Sequence, residues 1–469
     1  SEDVFDAALR RAGVLRVRDF SDFVSAAATL DAGVRATGDG LAIITNATGP
    51  GTLAADHAAD RQLVLPTFGE SAVKQLSALT PGKQVPGNPL DLGVEADAER
   101  YASAAAVCLS DPSVHALLAI LTPGVSNDPD AVAQHLLEAV AGQRKPLFTC
   151  WMGGSAVEAG RRRFIAANVP TYATPEGAVA AFAGLARYDA NQQQLLQVPE
   201  PLGRASTPDI EGAQLVINGA LAEGHEWLNP AESKAVLAAF EIPIVTSMPA
   251  HTAMEAVTIA REIGCPVAMK VLSPDITHKT EVGGVVLDLP GVTSVRDAYQ
   301  SMLEEVRTKC PDAKVDGVLV ESMHRAFRGR ELMIGVVRDE VFGPVISFGL
   351  GGTLVEVIAD RAVALPPLNR FLARDLIERT RAGEALLPLR GAPAADQRAV
   401  EDILLRISEM ACELPNIEEM DLNPVVATDA WAVVVVARFR VSRANPSERH
   451  YSHMAFHPYP SGLVRRVDL

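Results

Sequence analysis

Residues 266–289 read PVAMKVLSPDITHKTEVGGVVLDL. An apolar run ends on a lysine, passes through a polar loop, turns on a glycine pair and resumes as a second apolar run. Short apolar runs bounded by Gly and Pro predict two strands. Lys270 places a long cation on a strand otherwise made of core residues; alone, it reads as a strand-edge lysine snorkelling to solvent. The loop adds Ser273, His278, Lys279 and Thr280. Gly283 and Gly284 let backbone N–H groups approach a phosphate closely, although glycine pairs also make plain hairpin turns.

Outward from this stretch the pattern stays mixed. Asn229, Pro230 and Glu232 mark the start of the helix carrying AESKAVLAAF: cap, first-turn proline and capping box. A second helix is expected at 253–263. Downstream follow a helix at 294–309, strands DGVLVES, ELMIGVVR and PVISFG, a long helix at 394–413, and the strand pair NPVVAT and WAVVVVARFRV. Strands and helices in this mostly antiparallel order predict an α+β domain. On its strands, Glu321 can accept the exocyclic amine of an adenine, and the Met323 backbone can pair with the ring edge. Glu331 and Asp339 lie on the next strand, and Gly349, Gly351 and Gly352 follow in SFGLGG. In EMDLNPV, Asp421 and Asn423 are two apart on a strand and so point to one side, as paired oxygen ligands for a nucleotide-bridging Mg²⁺ would. Each residue has a plain alternative as a surface carboxylate or turn glycine; their order is what favours a nucleotide site.

The first half reads differently. Runs LAIIT (41–45), LVLP (63–66), VHALLAIL (114–121), PLFTCW (146–151) and VPTY (169–172) alternate with helix-length segments. That predicts a doubly wound, flavodoxin-like parallel sheet over 39–190. TNATGPG puts Asn46, Thr48, Gly49, Gly51 and Thr52 between a strand and a helix beginning near Pro50, where free N–H groups and the helix dipole favour an anion. GNPLDLG (87–93) is a second loop at the carboxyl ends of such a sheet. Residues 1–38 read as two helices without a strand, the tail of a truncated upstream domain; 191–212 and 446–469 read as linkers around an α+β domain at 213–445.

Composition limits the function classes. A chain of 469 residues suggests about three domains at ~150 residues each. With 48% hydrophobic and 21% charged residues it is neither disordered nor fibrous. Lys+Arg 42 against Asp+Glu 58 gives −16, a field that repels nucleic acid and anionic lipid, so an anionic substrate needs a local site. Five scattered cysteines without C-x-x-C spacing, no apolar run of transmembrane length and no basic-then-apolar start predict a soluble, cytoplasmic protein.

Together, the 266–289 stretch, RELMIGVVRDEVFGPVISFGLGGTLVEVIAD, EMDLNPV, TNATGPG, GNPLDLG and WMGG (151–154) resemble the NDP-forming acyl-CoA synthetases, the ADP-forming acetate–CoA ligase branch of the succinyl-CoA synthetase superfamily. The resemblance implies a ligase-type flavodoxin-like domain followed by an ATP-grasp domain. It implies reversible ligation of a short-chain acid to CoA with ATP/ADP, Mg²⁺ and phosphate, through a phosphohistidine on a segment upstream of this chain, next to a CoA-binding domain. By that resemblance Lys270, Gly283 and Gly284 meet the phosphates, Glu321 and Met323 the adenine, and Glu331 and Asp339 the nucleotide neighbourhood. Asp421 and Asn423 would hold Mg²⁺, Asn46, Gly49, Gly51 and Thr52 the phosphate-binding helix, and His278 a phosphate relay. A homo-oligomer is expected. Val436 stands where the family pattern has a metal-binding aspartate before Ala-Arg, and an apolar side chain cannot coordinate Mg²⁺. The tail HPYPSGLVRRVDL resembles the linker into a GNAT-type lysine acetyltransferase domain. The alternative is therefore a catalytically degenerate regulatory module binding nucleotide or acyl-CoA. A carboxylate–amine ligase would fit the second half but leave TNATGPG unexplained.

Overall fold

The computed structural model describes residues 1–17, 19–80, 85–124, 127–197, 207–273, 275–276, 279–323, 329–352, 360–389, 391–443 and 451–457. They form two compact units, Leu9–Leu196 and the combination of Ser1–Ala8 with Gln197–Leu469. The chain opens with two helices, α1 (Glu2–Arg11) and α2 (Phe20–Asp31).

In the Leu9–Leu196 unit, strands β1 (Leu41–Thr45), β2 (Leu90–Asp91), β3 (Ala116–Leu121), β4 (Leu147–Trp151) and β5 (Thr171–Tyr172) form a sheet in the order β2-β1-β3-β4-β5. Every pairing is parallel. Each residue of β1, β3 and β4 is buried, so these strands appear in sequence as unbroken apolar runs. Helices α3 (Thr48–Asp60), α4 (Glu70–Leu76), α5 (Ala98–Ser110), α6 (Pro129–Ala139), α7 (Glu158–Ala166) and α8 (Pro175–Leu195) complete the layers. Tyr101, Leu136 and Trp151 centre one core, and Ala54, Phe148 and Phe182 a second. The strand order reverses between β1 and β3, which opens the crevice of a doubly wound sheet beside the carboxyl end of β1.

Two expectations are corrected here. The run LVLP (63–66) is not a sheet strand; it makes only a single parallel bridge, Gly40 to Val64. The strand beside β1 comes from GNPLDLG, because Asn88 fits the edge of β1: its Oδ1 accepts from the Ile43 N–H (3.0 Å) and its Nδ2 donates to the Leu41 carbonyl (2.8 Å). At the expected 191–212 linker, α8 runs on to Leu195 because Asn191 and Gln194 are buried and Asn191 Nδ2 bonds the Val14 carbonyl. Thr29 of α2 likewise bonds the Tyr172 hydroxyl (2.7 Å), and Leu9–Leu196 form one compact unit.

The other unit holds two antiparallel sheets. The smaller, in order β6-β9-β7-β8, contains β6 (Ser247–Ala250), β7 (Val267–Leu272), β8 (Val285–Leu289) and β9 (Gly317–Ser322). It packs on α11 (Ala253–Ile263) and α12 (Val292–Lys309) through Val257, Ala260, Tyr299 and Met302. The larger, in order β12-β11-β10-β13-β14, contains β10 (Arg330–Asp339), β11 (Gly343–Leu350), β12 (Arg361–Ala364), β13 (Ile417–Ala427) and β14 (Ala432–Val434), with β15 (Ala437–Val441) also on β13. Helices α9 (Ile210–Ala222) and α10 (Pro230–Ala239), with Arg370–Glu378, Arg381–Leu386 and Gln397–Glu413, share its core. The capping box at Asn229 forms as expected, with Asn229 Oδ1 accepting from the Ala231 and Glu232 N–H groups. The chain leaves the larger sheet at Ile244, which bridges Val434, and enters the smaller at Ser247, which pairs with Glu321.

No helix among the described residues is long and apolar enough to cross a membrane.

Candidate functional site

Strands β7 and β9 are antiparallel neighbours with Ala268 opposite Glu321 and Lys270 opposite Leu319. This diagonal brings Lys270 Nζ to 2.6 Å from Glu321 Oε2. A second lysine, Lys234 of α10, reaches the other carboxylate oxygen at 2.9 Å. The Glu321 side chain is only 4% exposed, against 15% for Lys234 and 19% for Lys270. Glu321 thus faces two ammonium groups. Burial alone would push its carboxyl up, but Lys270 and Lys234 outweigh burial and hold it below the usual carboxylate range. Burial lowers Lys234, which Glu321 only partly offsets.

Lys279 joins this group from the loop. Burial and the nearby Lys270 lower its pKa, with Glu321 opposing and Arg438 adding to the depression. Arg438 belongs to the larger sheet, directly opposite Asp421 in the β13–β15 ladder. Burial raises Asp421, and Arg438 counters part of that rise. Lys234 and Lys270 thus pair with the single carboxylate of Glu321, with Lys279 near enough to feel both, a local positive excess in a chain of net charge −16, while on the larger sheet Arg438 and Glu419 act on Asp421 with opposite sign. Such an excess suits a polyanion.

The glycines shape two corners. Gly283 N–H bonds the Thr280 carbonyl and Gly284 N–H the Lys279 carbonyl (2.7 Å), so the pair closes the loop onto Lys279 and does not offer its N–H groups to a phosphate. Gly283 has φ +75°, a conformation strained for any other residue, and a Cβ on Gly284 would lie 2.6 Å from a Val271 methyl. In SFGLGG, Gly351 N–H bonds the Glu331 carbonyl and Gly352 N–H bonds Asn423 Oδ1 (3.0 Å). Gly352 has φ +83°, and a Cβ there would lie 2.2 Å from Glu331 Oε2. Glu331, Gly351, Gly352 and Asn423 thus meet at one corner, where the β10–β13 register shifts. Gly349 lies backbone-to-backbone against Asp360 in the adjoining β11.

Several expected residues fall elsewhere. Asp339 closes the β10–β11 hairpin through the Val341 and Phe342 N–H groups, at the opposite end of β10 from Glu331. At ~3.3 Å per residue the strand separates them by roughly 26 Å. Met323 directs its N–H to the Pro266 carbonyl, and its sulfur accepts from Asp288 N–H, so that N–H is not turned to a base. Ser273 caps its own turn by accepting from Asp275 N–H. His278 lies outside the described residues.

As metal donors, Asp421 supplies one carboxylate and Asn423 a carbonyl already accepting from Gly352, while Val436 supplies none. Among the described residues no group of three His, Cys, Asp or Glu is arranged to hold a metal ion. Mg²⁺ commonly sits on one or two carboxylates plus nucleotide phosphates. The donors fit a Mg²⁺ shared with a nucleotide, not an all-protein cage.

In the other unit, Asn46 is buried and spends its side chain on the end of β3: Oδ1 accepts from Thr122 N–H (2.9 Å) and Nδ2 donates to the Thr122 carbonyl (2.8 Å). Thr52 bonds back to the Thr48 carbonyl, and Gly51 packs on the Thr45 methyl. Both side chains thus hydrogen-bond within the fold. The Ala47 cap makes no side-chain bond to α3, and Gly49 has open space beside it, so the first N–H groups of α3 have no capping side chain.

Lys234 and Arg438 are the residues sequence reasoning misses. Lys234 lies 87 positions from Glu321, and no local pattern links them. Arg438 alternates with core residues in ARFRV, a signal for side but not for partner.

Two antiparallel sheets joined across the Lys234–Glu321–Lys270 contact are the architecture of the ATP-grasp class of nucleotide-binding domain. Residues 219–441 match the ATP-grasp domain family and residues 41–196 the ligase-CoA domain family. The chain is 35% identical over 438 residues to acetate–CoA ligase [ADP-forming] I of Archaeoglobus fulgidus, covering 93% of this chain and 61% of that protein. It is 36% identical over 229 residues to the beta subunit of acetate–CoA ligase [ADP-forming] I of Pyrococcus furiosus, covering 49% of this chain and 97% of that subunit. A solved structure of the dinucleotide forming acetyl-coenzyme A synthetase 1 of Ca. Korarchaeum cryptofilum, with coenzyme A, Ca-AMPCP and HgCl+, is 36% identical at TM-score 0.47, covering 49% of this chain and 100% of that chain. The chain belongs to the ADP-forming acetate–CoA ligase family. It spans about three fifths of the length of the Archaeoglobus relative.

Proposed function

We propose that this chain is the core of an ADP-forming acid–CoA ligase, which interconverts acyl-CoA, ADP and phosphate with acid, CoA and ATP. The single observation carrying the nucleotide half of this reading is the meeting of Lys234, from the larger-sheet side, and Lys270, from the smaller sheet, on the one carboxylate of Glu321, with Lys279 close enough to feel both Lys270 and Glu321. Preorganised cations there offset the charge of a phosphoryl group in transit. Asp421 and Asn423 would hold a Mg²⁺ delivered with the nucleotide, which would neutralise its phosphates. Glu331, beside Asn423 at the glycine corner, is assigned to the nucleotide neighbourhood. The Thr48 and Gly49 N–H groups at the start of α3 are assigned to the phosphate that travels on a histidine of an upstream segment. The acid is a short-chain carboxylate, the upstream partner a CoA-binding domain, and the assembly a homo-oligomer in the cytoplasm.

Val436 favours a second reading, a regulatory module that binds nucleotide or acyl-CoA without turnover, beside a GNAT-type acetyltransferase domain. The test is CoA- and acetate-dependent ATP consumption by the full-length polypeptide, with acetylation of a test substrate measured in parallel. Acid-dependent turnover is the expected result. Nucleotide binding without turnover, accompanied by ligand-dependent acetylation, would favour the second reading.

A further inference from the structure

We infer that Lys234 is a second phosphate-binding cation of the nucleotide site, held beside Lys270 by Glu321 acting as a positioning residue. This rests on the nucleotide reading above. Lys234 comes from α10, whose Val236 and Leu237 belong to the core of the larger sheet. Glu321 and Lys270 stand on the smaller sheet. The Lys234–Glu321 pair therefore spans the two halves of the domain and sets two ammonium groups on one carboxylate.

A structural tie needs one lysine; the second leaves a positive charge in a poorly hydrated place, which burial penalises unless an anion compensates it. Each ammonium carries three donors. Among the described residues Glu321 is the one hydrogen-bonding or ion-pair partner of Lys234 and of Lys270, so each keeps donors in reserve. Phosphate oxygens are strong acceptors for such charge-assisted bonds. Burial lowers the Lys234 pKa, as expected of an ammonium still short of counter-charge.

Calorimetric titration with ATP and with adenosine tests this on the wild-type chain and on Lys234→Met, Lys234→Arg and Glu321→Gln. Lys234→Met should weaken ATP at least tenfold while adenosine stays within twofold, and Lys234→Arg should recover most of the loss. Glu321→Gln should also weaken ATP, although simple removal of a negative charge would strengthen it. ATP binding unchanged in Lys234→Met, or ATP and adenosine weakened equally, would overturn the assignment of Lys234. Tighter or unchanged ATP binding in Glu321→Gln would remove the positioning role. If Lys234→Met does not fold, Lys234→Gln takes its place under the same criteria. A wild-type chain that binds ATP no better than adenosine would instead defeat the underlying nucleotide reading.

Discussion

The corner at TNATGPG and the lysine cluster between the antiparallel sheets both read in sequence as anion sites, yet they are built in opposite ways. At the first, Asn46 and Thr52 are used up inside the fold, leaving backbone N–H groups of α3 for a ligand. At the second, the backbone N–H groups of Gly283 and Gly284 are used up, leaving side-chain charges from α10, β7, the loop and β15. In the parallel sheet, substitutions of polar side chains should therefore cost stability. In the cluster they should cost binding.

The sharpest contrast comes from Lys270→Met, which should weaken ATP ten- to a hundredfold by calorimetry, matching about 1.5–3 kcal/mol for a charge-assisted bond. Unchanged affinity would dissolve the distinction. Next, Asn46→Ala should lower unfolding free energy by about 1–3 kcal/mol in urea, by orphaning the Thr122 N–H and carbonyl, with ATP binding intact. Gly352→Ala should cost about 1–2 kcal/mol for the left-handed backbone, plus displacement of Glu331, read as a lower denaturation midpoint.

The acid limb of the stability–pH curve gives a smaller signal. Glu321 has a lowered pKa in the folded state, so its contribution is present above the ordinary carboxylate value and lost as pH falls through the lowered one. Glu321→Gln should flatten that limb. Lys234 has a lowered pKa as well, so between that value and the ordinary lysine value the folded state binds fewer protons and stability rises with pH. Smallest of all, Thr52→Ala and Asp339→Asn should leave ATP affinity within twofold, since one bonds within α3 and the other caps a hairpin.

Much of the architecture was legible because periodicity reports burial. The fully buried β1, β3 and β4 stand in sequence as LAIIT, ALLAIL and LFTCW. The two-residue β2 did not, since an apolar run nearby looked more like a strand and the deciding contact is one asparagine side chain. β6, SMPA, carries a proline and has an intermediate or exposed face, so it gave no strand signal. Within the site, Lys270 was readable as a cation out of place on an apolar strand, and Asp421 by its spacing from Asn423. For Glu321 the sequence shows that a carboxylate sits on a strand but not which distant lysine faces it. Asp339 illustrates the reverse: strand membership was right, and strand length carried it away from the glycine corner.

The most direct test of the central claim is the difference in affinity between ATP and adenosine for the wild-type chain, followed as KCl is raised. Cations gripping a polyphosphate predict ATP bound at least a hundredfold more tightly than adenosine, with the gap narrowing as salt screens it. Equal affinities at low salt, or a gap that salt leaves unchanged, would contradict the claim.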